Sequence, residues 1–102
     1  MLTVDSLVKV FDKQFNGKDI TPSDMDMKLR KVNELLEIHN GILSIRFSFG
    51  EPIDDEHTLD DWKEIDCFEL KDIPSDRQNR KYTVYEIWYD GEEGFIEVML
   101  YT

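Results

Sequence analysis

A single cysteine, Cys67, leaves this 102-residue chain no means of building a disulfide framework. Two histidines, His39 and His57, fall in no zinc motif and in no nucleophile–base arrangement. Five glycines and three prolines are scattered along the chain, and none forms a glycine-rich phosphate loop. No stretch approaches the roughly 18 apolar residues of a membrane span. The opening Met-Leu-Thr-Val-Asp-Ser lacks a basic stretch before an apolar one, so a cytoplasmic location is expected. Lysine and arginine are sparse as well. Arg77, Arg80 and Lys81 make a basic cluster too small to hold a phosphate backbone, and they read as a solubilising loop. Direct binding to nucleic acid or to an anionic membrane is therefore not expected.

Acid is what the chain has in excess. Asp and Glu number 23 against 12 Lys and Arg, a formal net charge of −11. The excess is segregated: residues 1–40 hold seven acids and six bases, and residues 41–102 hold sixteen and six. The densest run, Glu51 to Asp72, sets ten carboxylates against Lys63 and Lys71. Like charges crowded together cost stability, so such a run implies a use. With 40% hydrophobic and 12% aromatic residues the chain can still form a packed interior, and its length suits one domain over residues 1–102.

The apolar period changes near Gly41. Val4, Leu7, Phe11 and Phe15 recur at helical spacing, with Asn16-Gly17 as a stop. A second helix opens at Thr21-Pro22, with Asp24 and Asp26 in the first turn, where the helix dipole favours negative charge. Met25, Leu29, Val32 and Leu36 form its stripe, and Asn40-Gly41 closes it. Beyond Gly41 the period is two. Leu43 to Phe49 alternates as a strand broken by Gly50-Glu51-Pro52, and Lys63 to Leu70 reads as a second extended segment. Residues 72–79 read as a loop. Tyr82 to Tyr89 and Phe95 to Tyr101 read as strands joined by a glycine-bearing hairpin turn.

This order predicts an α+β fold in which two N-terminal helices pack on one face of a four-stranded antiparallel sheet, a two-layer sandwich. Alternation places Leu43, Ile45, Phe47, Phe49, Tyr85, Ile87, Ile96, Val98 and Leu100 toward the helices. Arg46, Glu64, Asp66, Phe68, Tyr82, Val84, Glu86, Trp88, Glu97 and Tyr101 then fall on an open face that mixes carboxylates with aromatics. Cys67 is expected buried as a small hydrophobe, with a raised pKa among acids. Trp62 is expected to tether the acidic segment.

Catalysis finds no support in any motif, and neither a cofactor nor a metal is expected. An EF-hand starting at Asp54 fails, since its fifth position is Thr58 and its glycine position is Leu59. His57, among Glu56, Asp60 and Asp61, reads as a solvated loop histidine. The expected activity is therefore binding. Asp54, Asp55, Glu56, Asp60, Asp61, Glu64 and Asp66 would attract a basic protein, and Tyr82, Trp88 and Tyr101 would anchor it. Alternate strand residues lie about 6.6 Å apart, so Glu64 and Asp66 would match the spacing of successive phosphates. That predicts a DNA-mimic-like inhibitor of a nuclease or other nucleic-acid-binding protein, of the kind a phage or mobile element carries against host defence, CRISPR effectors included. Alternatives are an immunity protein for a basic toxin, a homodimer through the open face, and an enzyme or small-molecule binder with an unrecognised site.

Overall fold

The structure, a computed structural model, describes residues 3–36, 44–53 and 62–102. In these residues it is an α+β fold with three helices and a five-stranded mixed sheet. The elements in chain order are α1 (Val4–Phe15), β1 (Asp19–Ile20), α2 (Pro22–Leu36), β2 (Ser44–Pro52), β3 (Trp62–Glu69), α3 (Ser75–Gln78), β4 (Tyr82–Asp90) and β5 (Phe95–Tyr101). Among the described residues no helix is long and apolar enough to cross a membrane.

Both long helices begin where a side chain can satisfy free amides. The Thr3 hydroxyl accepts from the Ser6 amide at 3.1 Å, and the Ser6 hydroxyl accepts from the Thr3 amide at 3.0 Å. The Thr21 hydroxyl accepts from the Asp24 amide at 3.1 Å ahead of Pro22. Helix α1 stops at Asn16-Gly17, where Gly17 takes a φ of 79°. Its amide then donates to the Val84 carbonyl at 2.8 Å, steering the chain into the short strand β1, which alternation did not reveal. Val4 and Val8 of α1 and Met25 and Leu29 of α2 supply the helical side of the core. The expected stripe residues Val32 and Leu36 fall within α2, their side chains not described, and Leu43, His39 and the Asn40-Gly41 stop lie outside the described residues.

The sheet order is β1-β4-β5-β2-β3, and the two central strands, β2 and β5, run parallel. This corrects the expected all-antiparallel sheet. Residues 70–81, which include a 3-10 turn at Leu70–Asp72 and helix α3, are long enough to carry the chain from one edge past the centre. The β4–β5 hairpin then delivers β5 alongside β2. Strand β2 also continues through Gly50-Glu51-Pro52, because Pro52 sits at the strand end, opposite Trp62.

Ile45, Phe47, Phe49, Ile87, Ile96, Val98 and Leu100 face the helices, as alternation requires. Two bulges overturn the rest. Phe49 pairs with Asp66 but Gly50 pairs with Glu64, which leaves Ile65 as an extra residue in β3. Val84 pairs with Leu100 but Glu86 pairs with Met99, which leaves Tyr85 extra in β4. Each bulge shifts parity by one. Tyr82 and Val84 therefore join the core, and Tyr85 leaves it for the opposite face. Asp66 and Phe68 turn to the helix side, while Cys67 and Glu69 turn away from it.

The β3 bulge depends on glycine. A Cβ on Gly50 would lie 2.2 Å from the Lys63 carbonyl oxygen, a contact with backbone that cannot swing aside. Gly50→Ala should cost about 2 kcal/mol or more, read as a lower urea midpoint. Gly91→Ala, whose Cβ would meet only the Tyr89 ring at an ordinary 3.6 Å, is the matched control and should melt near the parent.

Candidate functional site

The sheet face turned away from the helices carries two rows of side chains. Trp88, Glu97, Arg46 and Glu69 form one across β4, β5, β2 and β3; Glu86, Met99, Ser48 and Cys67 form the next. Neighbouring strands are about 4.8 Å apart, so each row is a line of near contacts. The Trp62 ring stacks on Tyr85 at 4.7 Å, and Tyr101 meets both edge-on. Trp88 meets Phe95 edge-on at 6.1 Å, and the Arg46 guanidinium sits 4.0 Å over the Phe95 ring.

These aromatics cover one another. Tyr85, Phe95, Met99 and Ser48 are buried, although no helix lies on this face among the described residues. The open aromatic surface expected from alternation is thus a second packed layer, with Trp88 and Tyr101 half-buried within it. Trp62 tethers the start of β3: besides its stacking, its indole N–H donates to the Ser48 hydroxyl at 2.8 Å.

The carboxylates are held in place. Ser48 donates to Glu64 at 3.0 Å, Ser44 donates to Glu69 at 3.0 Å, and the Trp88 indole donates to Glu97 at 2.6 Å. Burial raises the Glu97 pKa, against the Trp88 hydrogen bond; repulsion from Glu64 adds to the rise. The Ser44 hydroxyl and then Lys71 lower the pKa of Glu69. Cys67 is exposed as a residue, but its thiol faces Glu64 and Glu97, with the three donor atoms within 4.8 Å of one another. Local burial and then those two carboxylates push the thiol up to about 11. No fourth His, Cys, Asp or Glu is grouped with them among the described residues. The cluster is an electrostatic feature of the face.

The expected binding residues are dispersed by this geometry. Asp54, Asp55, Glu56, Asp60 and Asp61, with His57, lie outside the described residues. Glu64 is on the face, as are Trp88 and Tyr101. Asp66 is not: it pairs with Arg77 at 3.4 Å on the helix side, so it cannot continue a phosphate-like track from Glu64. Tyr82 packs edge-on against Phe49 at 5.1 Å, as part of the core's rim. The basic loop is no mere solubiliser either. Arg77 donates to the Tyr82 hydroxyl at 3.3 Å and lies 4.3 Å over the Phe49 ring, which fastens α3 to the sheet. Simple alternation hides Cys67 and Glu69 on the wrong face; an Ile flanked by acids in a strand opposite a glycine is the faint signal of the bulge that exposes them.

Two outcomes follow from these electrostatics. A thiol displaced from 9.0 to about 11 has about a hundredfold less thiolate at neutral pH, partly offset by greater nucleophilicity. Alkylation of Cys67 by iodoacetamide should run about tenfold slower than that of a free thiol, with its rate still climbing above pH 9. Glu97 has a raised folded pKa, so its stabilising contribution is complete below the ordinary carboxyl range and is lost as pH rises through the folded value. Glu97→Gln, which keeps an acceptor for Trp88, should raise the melting temperature at neutral pH and lose that advantage in acid. Comparison with protein-family models, with curated proteins and with solved structures gives no match, so this face is characterised by its own geometry alone.

Proposed function

We propose that this chain acts by stoichiometric binding: it occupies the basic surface of a nucleic-acid-processing protein and inhibits or shields it. The observation that carries this reading is the second sheet face. There Glu64, Glu69, Glu86 and Glu97 lie around Arg46, with Lys71 paired to Glu69 at the edge, over an aromatic layer. Such a surface attracts a positively charged partner over long range, and half-buried Trp88 and Tyr101 at its margins give contact area once the partner docks. The chain's excess of acid adds to the pull. No step in this activity requires a cofactor or a reacting side chain.

The detailed imitation of DNA has less behind it than charge complementarity does. A mimic presents rows of like charge, whereas here Arg46 stands between Glu97 and Glu69, and aromatics separate the carboxylates. That interleaving favours the alternative of one dedicated basic partner, such as a nuclease toxin met by its immunity protein.

The test is inhibition of DNA cleavage across a panel of basic nucleases, repeated at several salt concentrations. The parent should inhibit a susceptible nuclease at one-to-one stoichiometry. The fourfold variant Glu64→Gln, Glu69→Gln, Glu86→Gln, Glu97→Gln should associate about tenfold more slowly and with a flatter salt dependence. Unchanged rates and unchanged salt dependence in a well-folded variant would remove the basis for charge-guided binding.

A further inference from the structure

The two edges of the sheet are finished differently. On the β4 side, β1 pairs with Tyr82 and Thr83, and helix α1 with its cap residue Asn16 reaches the backbone at Tyr85 and Ile87. Asp12 accepts from the Ile87 amide at 2.7 Å, and the Asn16 side chain donates to the Tyr85 carbonyl. The bulged stretch of β4 thus has side chains where a neighbouring strand would be. On the other side, β3 is terminal, and among the described residues no strand pairs with its outer edge. Lys63, Glu64, Ile65 and Cys67 are exposed there, Ile65 at 59%. A terminal strand with open backbone groups is a template for another strand.

From this edge we infer that β3 takes an extended, lysine- or arginine-bearing segment of the partner as a sixth strand, along Asp66–Glu69. The inference rests on the binding role proposed above and names how the partner is held. Three observations select the occupant. Beyond the bulge at Ile65, Asp66 to Glu69 pair with β2 in unbroken register, so four residues present a regular edge. A surface depression of about 670 Å³ adjoins them, lined by Arg46, Cys67, Phe68, Glu69, Lys71 and Asp72. The pleat sets Phe68 on the helix side and Glu69 on the other, so an added strand would place apolar residues by Phe68 and basic ones by Glu69. A second copy fits poorly. Laid antiparallel on the same edge, it would bring a second chain of formal net charge −11 against the first, like charge against like, and the Ile65 bulges would interrupt both strands.

The probe is an octapeptide of alternating lysine and valine, set against a charge-matched peptide with proline in place of valine. The second carries the same charge but cannot form the ladder. With the full chain, the lysine–valine peptide should bind about tenfold more tightly than the proline peptide. It should also slow amide hydrogen exchange selectively across Cys67 to Glu69. Equal binding by both peptides, with β3 exchange unchanged, would mean that charge alone acts and would overturn strand addition. Protection appearing at β4 instead, or no binding by either peptide, would overturn it equally. Nuclease inhibition by the parent, and its weakening in the fourfold Gln variant, would still stand in those cases, because that assay reads the charge of the sheet face.

Discussion

The second face depends on one close approach, that of the Gly50 backbone to the carbonyl of Lys63. Because glycine lets β2 and β3 meet there, β3 can hold Ile65 as an extra residue and re-aim everything on either side of it. Trp62 and Glu64 then share a face with Cys67 and Glu69, which strict alternation would forbid. The Trp62 indole reaches Ser48, Ser48 reaches Glu64, and the Trp62 ring closes over Tyr85. The bulge at Tyr85 is the counterpart in β4, since it brings that ring out of the core to be stacked upon. Two local departures from the pleat therefore create one surface.

That surface works against the stability of the fold, and the rest of the molecule offsets the cost. Apolar packing is concentrated on the helix side, where Phe47, Phe49, Val84, Val98, Leu100, Met25 and Leu29 are at most 1% exposed. On the opposite side a half-buried Glu97 is held near Glu64, and burial together with both carboxylates keeps the Cys67 thiol protonated. Hydrogen bonds from Trp88, Ser48 and Ser44 fix the carboxylates rather than neutralise them. Charge that is oriented but not cancelled is suited to meeting charge from outside, where a partner's cation gains more than it would from a mobile surface acid.

The two edges of the sheet are finished by different means. Helix α1 stabilises the fold by packing Val4 and Val8 into the core, and through Asp12 and Asn16 it also finishes the β4 backbone. Nothing comparable finishes β3 among the described residues. Its inner side is anchored by Arg77, which pairs with Asp66 and covers Phe49, so the strand is held firmly while its outer backbone stays open.

Much of this was legible in the residues themselves. The helical spacing of Val4, Phe11 and Phe15, the Thr21-Pro22 start and the alternation through Ile45, Phe47 and Phe49 rest on local periodicity, which needs no tertiary partner. Charge segregation is likewise a property of the chain, so attraction to a basic partner could be argued from sequence. Sequence could not place Glu64 and Asp66 relative to one another, because a one-residue bulge inverts parity and is set by backbone contact across strands. Nor could it show β2 and β5 running parallel, since that pairing is decided by where residues 70–81 carry the chain. By itself the sequence determined the elements and the sign of the surface. The tertiary structure alone decided which carboxylates stand together, because only non-local pairing sets the register that turns each side chain to one face or the other.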